Sequence, residues 1–364
     1  AENTLAWLGC KSLVLATGGY GGLFARRLTT DDVGGMGQYL ALQHGCTLVN
    51  MEFMQMMPGY LSPCPKTIFN EKTFRYAVLR DADGVPLLEN CADKAALLAQ
   101  RSTHGPFTTR LASKEVDYAM MQAKNAEKQG ITVTYSAEMQ ENMPEFIKTY
   151  FDWLLEKKHL TPQDSVQIAL FAHAANGGIQ IAPDTATPLK GLFACGEVTG
   201  GMHGADRIGG LSTANGLVFG QKAGAAAAKY AATVLQDSTE SPLTIDCYQI
   251  ENSTELREKM RETMSSAGMI RRDEAHLQAA LTALCTLQKQ CVKTPTADGA
   301  KVAKARLLEA QLALAVCILK AELLRRESRG SHDRADFETE NTAMQQKIYI
   351  QKQGETVCFA DEKQ

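Results

Sequence analysis

The chain has 364 residues, 45% of them hydrophobic, and a net charge of −3. That length can hold two domains over a sizeable core, and the charge leaves no basic surplus of the kind that binds nucleic acid. No apolar run reaches the length of a membrane span, and ten cysteines without a Cys-x-x-Cys pair or metal-ligand spacing read as scattered reduced thiols, with no metal or iron–sulfur site.

The chain opens Ala-Glu-Asn-Thr, without an initiator Met or a signal peptide, which reads as a processed, split or partial product. Residues 11–16 (KSLVLA) form a short β-type run that ends in Thr17-Gly18-Gly19-Tyr20-Gly21-Gly22. Thr29-Thr30-Asp31, Gly35-Met36-Gly37, Ala41-Leu42, Gly45 and Asn50-Met51-Glu52-Phe53 follow. Residues 60–170 differ in character: Pro63, Pro65, an extended run over 75–79, an Asp83-Gly84 turn signal, and helices expected over 112–129 and 143–158. A loop around Pro162 leads to Ala172-His173-Ala174-Ala175-Asn176-Gly177-Gly178-Ile179.

Residues 191–220 carry the densest signal. Residues 191–195 (GLFAC) read as a buried strand of a parallel sheet, ended by Gly196 and Glu197. Gly200, Gly201, Gly204, Gly209 and Gly210 then crowd a loop that also holds His203, Asp206 and Arg207, and a helix-compatible run starts at Ser212. Strand, glycine loop and helix N-terminus bring free N–H groups and the helix dipole to one spot, an anion-binding arrangement. Beyond residue 236 three amphipathic segments, 251–269, 274–289 and 301–326, read as a three-helix domain. The third carries a core stripe of Leu307, Leu308, Leu312, Leu314, Ile318, Leu319 and Leu323 and runs into 327–337, ESRGSHDRADF.

These motifs, in this order, resemble one flavoprotein family, that of the fumarate reductase and succinate dehydrogenase flavoprotein subunits and L-aspartate oxidase. Residues 191–220 resemble its G-L-[YF]-A-x-G-E, H-G-A-N-R-[LI]-G-[GS]-N-S and V-F-G; 172–179 resemble A-H-x-x-M-G-G-I; 327–336 resemble E-S-R-G-x-H-x-R-x-D. Nearly the whole chain is covered, but it begins at the family's middle: the G-x-G-x-x-G that seats the flavin pyrophosphate and the segment with the covalent flavin histidine of some members do not stand here. The implied fold is α/β: a partial FAD-binding Rossmann-like domain (1–59 and 171–236), an inserted α+β capping domain (60–170) and a C-terminal helical domain with a tail (237–364). The 327–336 stretch is expected to latch the helical domain to the flavin domain.

The resemblance implies FAD as cofactor and hydride transfer between flavin N5 and the C=C bond of an α,β-unsaturated carboxylate, with an arginine supplying the proton. Arg207 and His173 are the implied carboxylate ligands. Arg110, in 109–117 (TRLASKEVD), is the candidate proton donor; another register puts Ser113 at the arginine's place and leaves Arg110 or Lys114 to reach across. The implied cofactor contacts are Thr17, Gly18, Gly19, Gly196, Glu197, Gly209, Gly210 and Ser212, with Glu197 on a ribose hydroxyl. The departures are Met36 for the Asp of T-G-D-G, Met57 and Gly59 for the His and Thr of H-P-T, Leu211 for an Asn and Asn215 for a Glu. Loss of the second carboxylate anchor points away from fumarate toward a monocarboxylate enoate with an apolar tail. Oxidation of an amino acid such as L-aspartate is the alternative reaction, and a non-catalytic or split half of a flavoprotein the alternative class. Expected partners are a small carboxylate substrate, a companion chain supplying the N-terminal FAD-binding half and an electron-transfer subunit. The expected location is cytoplasmic, peripheral on a membrane through a partner.

Overall fold

The computed structural model describes residues 6–235 and 245–361. β1 (Leu13–Leu15) is followed by α1 (Met36–Gln43), β2 (Leu48–Val49) and β3 (Met54–Ser62). Next come β4 (Ala77–Arg80), α2 (Lys94–Arg101), α3 (Lys114–Gln122), α4 (Ala126–Gln129), β5 (Ile131–Tyr135), α5 (Ala137–Glu141) and α6 (Glu145–Lys158). The chain returns through β6 (Val166–Ala175), β7 (Gly178–Ile179), β8 (Leu192–Ala194) and the long α7 (Leu211–Thr233). It finishes with β9 (Tyr248–Ile250), α8 (Ser253–Ala267), α9 (Glu274–Lys289), β10 (Lys293–Pro295), α10 (Gly299–Leu324), β11 (Ile348–Gln353) and β12 (Thr356–Asp361).

β1 and β8 pair in parallel, Val14 opposite Phe193. The residues between them form an antiparallel sheet in the order β3-β6-β5-β4. Its outer face carries α6, whose Ile147, Phe151 and Leu154 recur at helical spacing and are buried. These residues share a core with Phe69, Phe74, Val133 and Ile168. A larger core joins Tyr20, Leu42 and Leu170 to α8, α9 and α10 through Met260, Leu284 and Leu312. α10 is buried on most of its circumference because α1, α8 and α9 all pack on it. The Asp298 carboxylate caps its start by accepting from Ala300 N–H at 2.9 Å, and Asp273 does the same for α9 through His276 N–H at 2.9 Å.

Several sequence expectations change. The helix expected over 112–129 is two helices, α3 and α4, separated at Asn125, which takes φ = 57°. The extended run over 75–79 starts as a 3-10 helix (Glu71–Tyr76), and the strand begins only at Ala77. The three C-terminal helices are present, and they are followed by a hairpin, β11–β12, that the sequence pattern does not reveal; β11 adds to β2 and β7 in a second antiparallel sheet. The 59/60 and 170/171 junctions fall inside β3 and β6, so the capping segment leaves and re-enters along one strand pair. The 236/237 junction lies outside the described residues.

The 327–336 stretch is a buried polar knot. The Arg325 guanidinium donates to Glu52 at 2.7 Å and to Glu327 at 2.9 Å. Arg272 donates to Nδ1 of His332 at 2.6 Å, so His332 must carry its proton on Nε2, which donates to Arg325 O at 3.1 Å. Burial, with Arg272 and Arg325 beside it, holds His332 well below the usual imidazole range. Ser331 donates twice to Ala205 O, from N–H at 3.0 Å and from Oγ at 2.9 Å, and Thr109 N–H donates to Gly330 O at 2.9 Å. One turn thereby binds both the glycine-rich loop and the capping segment.

Gly330 is required there: its φ is +57°, and a Cβ would lie 2.7 Å from Ala205 O. Gly330→Ala should destabilise the chain by about 2 kcal/mol, combining the left-handed backbone penalty with the collision, read as a lower urea midpoint. An unchanged midpoint would mean that the turn does not hold the loop in this way.

Candidate active site

Three elements converge on one group of charged residues. His173 lies near the end of β6. Gln55 on β3 pairs with Ala174 in the same ladder and donates from Nε2 to Arg207 O at 3.1 Å. Glu197 lies in the short 3-10 turn after β8 and accepts from Ala175 N–H at 2.8 Å. The sequence builds this because the strand must end at Gly196, which takes φ = 74°, before the chain turns into the glycine loop.

The three titratable groups feel one another. Burial, aided by the Arg207 charge, lowers His173 to about 4. Burial raises Glu197, opposed by the Ala175 N–H, the Arg207 charge and the Gly19 N–H. Burial lowers Arg207, opposed by Glu197. At neutral pH the His173 imidazole is therefore neutral, beside the Arg207 guanidinium and the Glu197 carboxyl. Arg207 donates from Nη1 to Ser212 Oγ at 3.3 Å, while its Nε is buried without a partner among the described residues.

The other candidates lie at stated places. Arg110 is about half exposed and reaches the group through Asp206, with Nε 3.6 Å from Oδ2. Ser113 is buried and bonded to Nε2 of His104 at 2.8 Å, and the Lys114 ammonium lies over the Tyr118 ring at 5.9 Å. Gly18, at φ = +74°, accepts from Gln38 Nε2 at 2.9 Å, and a Cβ on Gly19 would lie 2.5 Å from Glu197 Oε1. A Cβ on Gly37 would run into the Thr17 hydroxyl. Gly209, Gly210 and Ser212 are exposed at the start of α7. Two residues at this centre escape sequence reasoning. Asp206 stands where the family pattern has Asn, which is a visible signal; Gln55 has none beyond its place after Met51-Glu52-Phe53.

The residues fit a flavin dinucleotide. Besides Arg207 Nε, the buried atoms Gln38 Oε1, Gln55 Oε1 and Asn176 Oδ1 lack partners among the described residues, and native folds rarely leave such atoms unmet without a ligand or water. At the start of α7, Leu211 N–H and Thr213 N–H are already engaged, donating to Ile208 O and Gly210 O at 3.2 and 3.1 Å.

Comparison with known proteins agrees with this geometry. Residues 7–213 match the family model described as "FAD binding domain", and residues 257–360 match "Fumarate reductase flavoprotein C-term". The fold and site thus define a member of the FAD-binding flavoproteins. The chain belongs to the FAD-binding flavoprotein family of the fumarate reductase and succinate dehydrogenase type. It is 29% identical over 343 residues to a fumarate reductase (CoM/CoB) subunit of Methanothermobacter marburgensis, covering 90% of this chain and 61% of that one. It is 26% identical over 381 residues to the Escherichia coli fumarate reductase flavoprotein subunit, covering 92% and 60%. The structure of Mycobacterium smegmatis Sdh1 in complex with UQ1 superposes with a TM-score of 0.75 at 28% identity, covering 96% of this chain and 61% of that one. The chain thus spans about three-fifths of the length of these relatives. Among the described residues no helix is long and apolar enough to cross a membrane.

A histidine with a lowered folded value stabilises the fold in its neutral form. That contribution is complete above the unfolded value of 6.5 and is lost as pH falls from there toward about 4. By 13C NMR His173 should titrate near pH 4, and Arg207→Gln should raise that value only part of the way, because burial remains. A midpoint near 6.5 in the unaltered chain would contradict this picture of the site.

Proposed function

We propose that this chain is the substrate-binding and capping part of an FAD-dependent oxidoreductase that acts on the C=C bond of an α,β-unsaturated carboxylate. The observation that carries the reading is the joint placement of His173, Glu197 and Arg207 beside the glycine-rich loop, with Arg110 one ion pair away. A flavin bound here would supply or accept the hydride. Thr17, Gly18, Gly19, Gly196 and Glu197 are the residues that would hold it, with Gly209, Gly210 and Ser212 at the start of α7.

The chain's own side chains do the rest. Arg207 presents a planar fork with a free Nε–H to the substrate carboxylate. Holding that carboxylate makes the alkene electrophilic and stabilises charge that builds up on it during transfer. His173, neutral at pH 7, adds a hydrogen bond without a second charge. Arg110 donates a proton to the carbon that does not take the hydride and recovers one from solvent, to which it is open. Ser113 and Lys114 are less suited because each is engaged elsewhere.

The substrate follows from Met57 and Gly59. Met57 is buried, and its Cε lies 3.3 Å from where a Cβ on Gly105 would stand. A thioether and a glycine cannot hold a second carboxylate, so a monocarboxylate enoate with an apolar tail suits the site better than fumarate.

α7 supports a companion. Only Ala223 and Ala227 of its 23 residues are buried. Leu217 is 72% exposed and Val218 52%, near Ile208 at 70% in the loop before it. A two-stranded parallel sheet with an open apolar face is unusual, since parallel sheets are covered on both sides. The proposal is that the remaining FAD-binding half, on the same or a companion chain, packs here. The names of the relatives, which describe them as subunits, support a further partner subunit; that it transfers electrons, and that the location is cytoplasmic and membrane-peripheral, are part of the proposal.

The test is to purify the chain alone and with the segment encoded upstream of it, record visible spectra, and assay whichever sample carries flavin. Crotonate should be reduced faster than fumarate, and Arg207→Ala should lower kcat by about 10²–10³-fold. Flavin in neither sample, or fumarate preferred, would defeat the proposal.

A further inference from the structure

Asp206 makes contacts that the reaction above does not use. Its backbone is fixed from both sides: Ala205 O accepts two hydrogen bonds from Ser331, and Arg207 O accepts one from Gln55. Its side chain then reaches across to the capping segment. Oδ2 accepts from Thr108 Oγ1 at 2.7 Å and lies 3.6 Å from Arg110 Nε. Thr108 Oγ1 in turn accepts from Arg110 N–H at 3.3 Å. The Asp206 side chain is mostly buried, whereas Arg110 is about half exposed. The carboxylate is thus the fixed partner and the arginine the adjustable one.

We propose that Asp206 is a positioning residue for Arg110: from the glycine-rich loop it holds the Nε edge of the guanidinium and so aims the two terminal nitrogens at the carboxylate site one residue away. The inference rests on the reading of Arg110 as the proton donor. Its physical content is that a long, half-exposed arginine has many rotamers, and a proton donor works only when held within a fraction of an ångström of its target. Asp206 removes that freedom when the capping segment lies against the loop. An Asn at this place, as in the family pattern, keeps the hydrogen bond to Thr108 but has no charge to attract a guanidinium. In this chain the aiming therefore belongs to Asp206.

The test uses Asp206→Asn, which preserves shape and the Thr108 contact, and Asp206→Glu, which preserves charge. The first readout needs no flavin: the Arg110 Nε–Hε signal in 1H–15N NMR, identified by its loss in Arg110→Lys. Ion pairing with Asp206 should set its shift, so the signal should move in Asp206→Asn and stay closer to its parent position in Asp206→Glu. The second readout is kinetic, in the flavin-loaded protein. Asp206→Asn should lower kcat by about 10- to 100-fold with KM little changed, and Asp206→Glu should recover part of the loss. An unmoved Arg110 signal in Asp206→Asn overturns the proposal, as does a rise in KM with kcat intact. So does a loss of kcat that tracks a lower melting temperature alone. If Arg110→Lys leaves turnover intact, the proton-donor reading fails, and the NMR result still decides whether Asp206 holds Arg110.

Discussion

The arrangement depends on one buried arginine. Arg325 stands at the end of α10 with 1% of its side chain exposed and directs its donors to Glu52, Glu327, Met344 O and Gln346 O. A guanidinium taken out of water costs several kcal/mol, recovered only when its donors are met in good geometry. This requirement draws three distant parts of the chain together: the approach to β3, the end of the helical domain and the turn at 327–332. The turn then takes hold of Ala205 through Ser331. The glycine-rich loop, which has little side-chain packing of its own, inherits its position from this knot. Arg207 and Asp206 are placed because Ala205 is.

How far the sequence reveals this varies with the kind of signal. β1, β8, α7 and the three C-terminal helices rest on local periodicity and glycine punctuation, and the structure returns them within a few residues. The single helix expected over 112–129 fails because Asn125 adopts a left-handed conformation that Asn tolerates well; helical periodicity carries no mark of such a break. The β11–β12 hairpin closes locally over Gly354-Glu355, but its addition to β2, some 300 residues away in the chain, lies beyond any local pattern. His173, Glu197 and Arg207 are visible because they lie within long motifs. Asp206 and Gln55 acquire meaning only from the capping segment and from Arg207 O, both far away in sequence.

Electrostatics at the site follows from burial more than from pairing. Burial is the largest influence on His173, Glu197 and Arg207 alike, and each charge only moderates what burial does to its neighbour. A site of this kind keeps one cation and one neutral donor where two cations would repel. It also leaves Arg207 Nε without a partner among the described residues, at a cost in stability that a bound carboxylate would offset.

His173 and Arg110 are held in place by different kinds of contact. His173 sits on β6 at a bulge in its ladder with β3, between the Ala172–Met56 and Ala174–Gln55 pairs, so the paired residues on either side fix its place in the sheet. Arg110 belongs to a segment joined to the rest by Phe107 N–H on Met56 O, Thr109 N–H on Gly330 O, the Thr108 and Arg110 contacts with Asp206, and the burial of Phe107 and Tyr118 in the larger core, where Tyr118 Oη donates to Asp333 at 2.9 Å. His173 and Arg110 are thus held by different means, one by a strand ladder and the other by buried core side chains together with single hydrogen bonds, each of which contributes about 1 kcal/mol net.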